Sequence, residues 1–408
     1  MKPYLTTFFL FFLLVFPFSA YAQDTIRFDE SGLELVMQRA KVEKKPIFYM
    51  AYADWCPHCK NIKATTLKDA EVVSFMNANY VFAGLNFEKP GSEDFKTKYN
   101  VKTFPTFLVL DENGQELARF TGELKKEKFL SEVKLALNPK QQLPYLKAEY
   151  EKDKTNGINL MRYLVALKKG RDRNELNPIA HEYFEKLTDD KIVNEVNWKI
   201  FTNGISDIES REYKFVITNQ QAFAAITSPK RVNDKFKNSV MELLKPIVKT
   251  NDIANYKTQR AIAKTITSPV IDSLLFQYDL DHYEFNSNWN EYKKVAATHI
   301  KKYVWNSPKE IKSIVLNVMR NSTDAASLNQ SLDWIRHSNE LEESYDGILL
   351  EARVHRKLNN IPIAITITKK AKAFSTQMGW DGKEADKLLA DLLERKKIAA
   401  KPAAKTKK

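Results

Sequence analysis

Short apolar runs alternate with helical spacings in the first part of the chain, and after about residue 137 only helical spacings persist. Leu33, Val36, Met37 and Ala40 recur on one helical face after an extended entry from residue 24. Residues 46–52, Pro-Ile-Phe-Tyr-Met-Ala-Tyr, form a continuous apolar and aromatic run behind a Lys/Glu-rich segment, which predicts a buried strand. Helix is predicted over 60–67, a polar break over 65–69, helix again over 70–78 through Val72, Val73, Phe75 and Met76, and a second strand over 80–87. This alternation is what a parallel βαβ unit requires. A short helix at 95–99 precedes a strand at 107–110. The turn Asp111-Glu112-Asn113-Gly114 then returns the chain as a hairpin over 115–121, because Asn-Gly adopts the positive φ that tight hairpins need. An amphipathic helix at 126–137, carrying Phe129, Leu130, Val133 and Leu137, closes this first domain, 23–137.

Two prolines and two glutamines make 138–144 a predicted linker. The remainder, 145–394, is predicted all-α, with helices at 160–168, 174–187, 193–202, 212–226, 232–249, 253–265, 270–278, 289–304, 308–319, 325–337, 344–358, 363–378 and 383–394. Helices joined by short polar breaks suggest antiparallel hairpins stacked as a solenoid-like helical repeat. Only 11 glycines in 408 residues agree with a mostly helical chain.

At the N-terminus, Lys2 precedes the apolar run 8–18, and Ala20-Tyr21-Ala22 supplies a small-residue cleavage site. Residues 1–22 are therefore expected to be a signal peptide, and the mature protein to be exported, to the periplasm if the source is Gram-negative. The net charge of +13 would suit a nucleic-acid binder if it were clustered on the fold. Much of it instead sits in 395–408, a predicted disordered basic tail, while acids and bases interleave elsewhere. No nucleic-acid partner is expected, and the tail offers at most weak contact with anionic membrane.

Trp55-Cys56-Pro57-His58-Cys59-Lys60 holds the only two cysteines in the chain. They fall between the strand at 46–52 and the following helix. There the unpaired N–H groups and dipole of the helix start stabilise the Cys56 thiolate. With no third cysteine, the pair can bridge only each other or exchange with another protein. Pro57 suits a first helical turn, where its missing N–H costs nothing. His181, His282, His299, His337 and His355 are scattered without ligand spacing, so no metal site is expected.

The first domain resembles the thioredoxin superfamily. Tyr52 to Lys60 matches that family's active-site strand and helix, Thr103-Phe104-Pro105-Thr106 its cis-proline segment, and Thr121-Gly122 its closing hairpin. Thr66, Leu67, Asp69 and Val72 make exported thiol:disulfide interchange proteins the nearest type. The resemblance implies a central mixed sheet flanked by helices and dithiol/disulfide exchange with protein thiols and a further redox partner, with no cofactor beyond the Cys56–Cys59 disulfide. It casts Cys56 as the attacking thiolate and Cys59 as the resolving thiol, with Trp55 shielding the pair. His58 would favour the thiolate, as in the Cys-Pro-His-Cys motif of the periplasmic disulfide-introducing oxidase. The Phe104 backbone beside Pro105 would pair with substrate peptide. Thioredoxin's buried acid and its accompanying lysine are replaced by Met50 and Gly84, leaving solvent, Glu88 or a partner to deprotonate Cys59. Near the C-terminus, Ala352, Ala364 and Ala371 resemble the small-residue spacing of one tetratricopeptide repeat. The rival reading is a helical interaction scaffold whose redox module is regulatory or residual.

Overall fold

The computed structural model describes residues 25–171 and 175–399, which divide into two compact units that part between Ser206 and Asp207. The expected signal peptide, 1–22, and residues 400–408 of the expected tail lie outside the described residues.

The first unit opens with α1 (Leu33–Glu43), β1 (Ile47–Tyr52), α2 (Pro57–Ala64), α3 (Ala70–Asn79), β2 (Val81–Asn86), α4 (Ser92–Tyr99), β3 (Thr106–Leu110), β4 (Glu116–Thr121) and α5 (Lys126–Ala136). The strands form one mixed sheet in the order β2-β1-β3-β4. β1 runs parallel to β2 and antiparallel to β3, and β3 runs antiparallel to β4. β1 lacks polar alternation because both of its faces are covered. Phe48, Met50 and Tyr52 point into a core shared with Cys59, Ile62, Met76 and Phe129. Tyr49 and Ala51 point into the opposite core with Val36, Ala40 and Phe95. Phe48 stacks on Phe107 at 5.4 Å and meets Phe129 edge-on at 5.7 Å, and such pairs contribute about 0.5–1.5 kcal/mol each beyond area burial. Asp69 caps α3 by accepting the Glu71 and Val72 amides at 3.0 and 3.3 Å, which places the polar break inferred at 65–69 just before that helix.

The segment 138–144, expected as a linker, is folded. Asn138 accepts the Lys140 amide at 3.1 Å and caps a single 3-10 turn, Pro139–Gln141. Pro144 then occupies the first turn of α6 (Leu143–Lys152), which is followed by α7 (Gly157–Leu167), α8 (Asn177–Glu185) and α9 (Glu195–Gly204). The residues that resemble a linker are thus helix-start residues. α6 packs on β4, and the turn after α7 lies against the same strand. Gly170 has φ +65°, and a Cβ there would stand 2.6 Å from Thr121 Cγ2. Lys169 reaches Glu132 on α5 at 2.7 Å, and Arg171 reaches Glu116 on β4 at 3.0 Å. Burial alone would raise the Glu132 carboxyl, but Lys128 and Lys169 hold it below its ordinary range.

The second unit is helical throughout its described residues. Its helices are α10 (Arg211–Thr218), α11 (Gln220–Ile226), α12 (Pro229–Leu244), α13 (Ile253–Lys264), α14 (Pro269–Phe285), α15 (Trp289–Tyr303), α16 (Pro308–Asn321), α17 (Ala325–Leu341), α18 (Tyr345–Lys357), α19 (Ile361–Gln377) and α20 (Lys383–Ala399). The helix expected over 212–226 is two, broken at Asn219, whose side-chain amide turns back to donate to the Phe215 carbonyl at 2.9 Å. Successive helices pack against each other from α14 to α20, and Ala352, Ala364 and Ala371 are fully buried within α18 and α19. α20 carries helix through Ala399, so 395–399 are not part of a disordered tail. No described helix is long and apolar enough to cross a membrane.

Candidate active site

β1 ends at Tyr52, and after the four residues 53–56 the chain enters α2. That loop is held from outside: the Asp54 amide donates to Glu88, and the Asp54 carboxylate accepts Asn86 Nδ2 at 2.7 Å. Cys56 is the N-cap of α2 with Pro57 in the first turn, and its Sγ accepts the Cys59 amide at 3.3 Å. A sulfur in that position takes up one of the helix's otherwise unpaired N–H groups and lies at the positive end of its dipole. The same Sγ lies 3.6 Å from the Phe104 carbonyl, which precedes the cis peptide Phe104–Pro105. Both cysteines are free thiols. Cys56, Pro57 and Cys59 are therefore brought together with Phe104 and Pro105, Cys56 and Phe104 being 48 positions apart. Trp55 is 66% exposed and meets Phe104 edge-on at 6.0 Å, forming an apolar rim at the site.

Both sulfurs are buried, Cys56 at 3% exposure, and they differ in their hydrogen-bond partners. Cys59 is 1% exposed, and burial, followed by its contact with the Cys56 thiol, pushes its pKa up to about 12. The Ala53 backbone and the Lys63 ammonium pull the other way. His58 does not bond to Cys56: its ring is exposed and its Nδ1 lies 3.0 Å from Glu123, which also accepts Asn61 Nδ2. Those two bonds lower the Glu123 carboxyl. Glu88, a conceivable base for Cys59, is engaged with the Asp54 amide.

Met50 and Gly84 are paired across β1 and β2, and a side chain at 84 would meet Phe28 at 3.2 Å, so Phe28 fills the space there. The charged group near the buried thiol comes from elsewhere. Lys63, half-buried on α2, sets its Nζ 3.1 Å from the centre of the Tyr52 ring, and Tyr52 donates its hydroxyl to Glu30. Sequence reasoning missed Lys63, Tyr52, Glu30 and Glu123. The signal for Lys63 was available, because it follows Cys59 by four residues and shares its helical face. The other contacts span 22 and 65 positions and leave no local trace. Among the described residues no group of three or more His, Cys, Asp or Glu side chains could hold a metal ion.

A family model for the thioredoxin-like domain matches residues 33–137. This part of the chain is a thioredoxin-like domain. Its curated relatives include protein disulfide-isomerase A5 of Mus musculus, 33% identical over 91 residues, covering 22% of this chain and 16% of that protein. The thiol:disulfide interchange protein DsbD of Colwellia psychrerythraea is 30% identical over 107 residues, covering 25% of this chain and 17% of that one. The chain thus spans less than a fifth of the length of these relatives. A Bacteroides thetaiotaomicron protein solved in solution is 30% identical, with a TM-score of 0.27, and covers 28% of this chain and 95% of its own. All of these matches cover only about a quarter of this chain, the length of the thioredoxin-like domain alone.

Proposed function

We propose that the protein is an exported thiol:disulfide oxidoreductase acting on protein substrates, with Cys56 as the attacking sulfur and Cys59 as the resolving one. The observation that carries this reading is the placement of Cys56 Sγ at the start of α2, 3.3 Å from the Cys59 amide and 3.6 Å from the Phe104 carbonyl. In the reduced protein the Cys56 thiolate attacks one sulfur of a substrate disulfide, forms a mixed disulfide and releases the other sulfur as a thiolate. The Cys59 thiolate then attacks Cys56 Sγ, closes the Cys56–Cys59 disulfide and releases the second substrate thiolate. Run backwards, the same steps oxidise a substrate dithiol. The apolar rim of Trp55 and Phe104 gives a bound peptide a surface beside the sulfur, and the helices beyond the thioredoxin-like domain recruit or orient the partner. Export rests on the charged, apolar and small-residue pattern of residues 1–22.

Insulin reduction and refolding of scrambled ribonuclease, run with wild type and Cys56→Ser, test the reading. Activity in either assay that is lost in the variant is expected. Inactivity of the wild type in both would favour the helical scaffold instead. The reduction potential of the pair then gives the direction: strongly reducing for a donor, oxidising for a protein that introduces or shuffles disulfides.

A further inference from the structure

We infer that Lys63 is the positioning charge for the resolving thiol, its ammonium offsetting the cost of ionising Cys59 inside the domain and thereby setting the rate at which the mixed disulfide is resolved. This rests on the exchange reading above and deepens it. The geometry has three parts. Cys59 and Lys63 are one helical turn apart on the same face of α2, which brings their side chains into proximity. Lys63 is held inward, with its Nζ 3.1 Å from the Tyr52 ring centre and 6.0 Å from that of Phe28. Finally, a cavity of about 430 Å³ lined by Lys63, Tyr52, Glu30, Phe28 and Leu67 lies beside this corner.

Where a thioredoxin-type buried acid would stand, Met50 is fully buried and apolar, so the interior beside Cys59 holds no carboxylate at that position. A buried thiol with no compensating charge ionises reluctantly. The charged and titratable groups that act on Lys63 are Cys59, Asp54, Glu30 and Lys89, and Cys56 acts on Cys59. Burial lowers the Lys63 pKa, and Cys59 when ionised, then Asp54 and Glu30, oppose that shift. In the resolving step Cys59 gives its proton to solvent and the thiolate attacks Cys56 Sγ of the mixed disulfide. The departing thiolate then takes up a proton, so Lys63 ends the step with the charge it had at the start. Glu30, paired with Lys89 Nζ at 2.5 Å, works against this arrangement, because its carboxylate also acts on the Lys63 ammonium.

The test uses the full chain. The Cys56→Ser variant leaves Cys59 as the sole thiol, and its alkylation by iodoacetamide across pH reads its ionisation directly. Adding Lys63→Met is expected to move that profile upward by on the order of one pH unit. In the two-cysteine protein, Cys56 is loaded with 2-nitro-5-thiobenzoate and release of the coloured thiol is followed. Lys63→Met is expected to slow release roughly tenfold at neutral pH, with the gap closing as pH rises, and Lys63→Arg to restore most of the rate. Glu30→Gln supplies the opposite sign: release should speed up by about two- to threefold. General loosening of the domain would instead move both variants in the same direction. An unchanged alkylation profile in Lys63→Met, or slower release in Glu30→Gln, overturns the inference. Failure of the wild type itself to release the coloured thiol would overturn the exchange reading beneath it, a distinguishable result.

Discussion

The first unit takes charged side chains into or toward its interior at the β4 edge and on α2, and treats them in opposite ways. At the β4 edge, Arg119 is almost completely buried and fully paired: its guanidinium bonds both oxygens of Glu116, at 3.1 and 2.8 Å, and the Tyr99 and Asn100 carbonyls. Glu116 also accepts Arg171, whose buried Nε makes no hydrogen bond, so the matched set is Arg119 with Glu116 and the two carbonyls, pinned beneath the turn at Gly170. On α2 the groups are two buried thiols in the first turn and a half-buried ammonium over an aromatic ring in the last, with no carboxylate bonded to either sulfur. A closed set resists change, and an open one leaves sulfur available for reaction. The contrast identifies β4 as the structural corner and α2 as the chemical one.

The largest effect that would break this contrast is removal of Glu116. Glu116→Ala leaves Arg119 charged and buried, which costs about 3–5 kcal/mol. Urea unfolding followed by aromatic fluorescence should show that loss, while Cys56 in the remaining folded protein should alkylate at the wild-type rate. A loss below about 1 kcal/mol, the range of exposed pairs, would mean that Arg119 reaches water and that the corner is not closed. Next in size is Gly170→Ala. Its Cβ would collide with Thr121 Cγ2 on a backbone at positive φ, at a cost of about 1–3 kcal/mol in the same assay. An unchanged unfolding midpoint would detach the turn after α7 from β4.

The two corners were unequally visible in the sequence. α2 was legible because its signals are local: the cysteines, Pro57 and the preceding apolar run sit within one stretch, and Pro105 carries its own conformational mark. The sheet was legible for a similar reason, since β1 with both faces covered reads as an unbroken apolar run and the Asn113-Gly114 turn sets the hairpin. The β4 corner was not, because Arg119 in isolation looks like a solvent-facing residue of an edge strand, and its burial depends on residues some 50 positions later, around Gly170. Residues 138–144 misled for a physical reason: Asn and Pro terminate one helix and start the next with the same chemistry. Lys63 lay in plain spacing from Cys59, but its inward turn depends on Tyr52 across the fold.

A smaller effect sharpens the chemical side. His58 bonds Glu123, so Glu123 holds an anion beside a residue that lies between the two cysteines in the sequence, and engages that histidine. Glu123→Gln removes that anion and should raise the reduction potential of the Cys56–Cys59 pair by on the order of 10–20 mV, read by equilibration with glutathione. Stability should be unchanged, because the residue is on the surface. A fall in potential would show that His58 acts on the sulfur only through its bond to Glu123.

The rule drawn from the first unit also applies to a buried histidine in the second. His355 is 2% exposed, and Arg336 lies 3.3 Å from its Nε2. A guanidinium only donates, so that nitrogen must keep its lone pair and the ring must be neutral. Burial first, then the Arg336 charge, lowers its pKa against an opposing pull from Glu351, and the Asn360 amide faces the other ring nitrogen. A base whose folded pKa lies below its unfolded one adds stability above the unfolded value, about 6.5, and loses it as pH falls toward the folded value. Thermal unfolding of the full chain should therefore weaken between pH 7.5 and 5.5, above the range in which carboxylates titrate. His355→Asn, which cannot titrate, should weaken less over the same interval. Equal slopes for the two proteins would place the pH sensitivity on another group and confine the closed-set rule to the β4 corner.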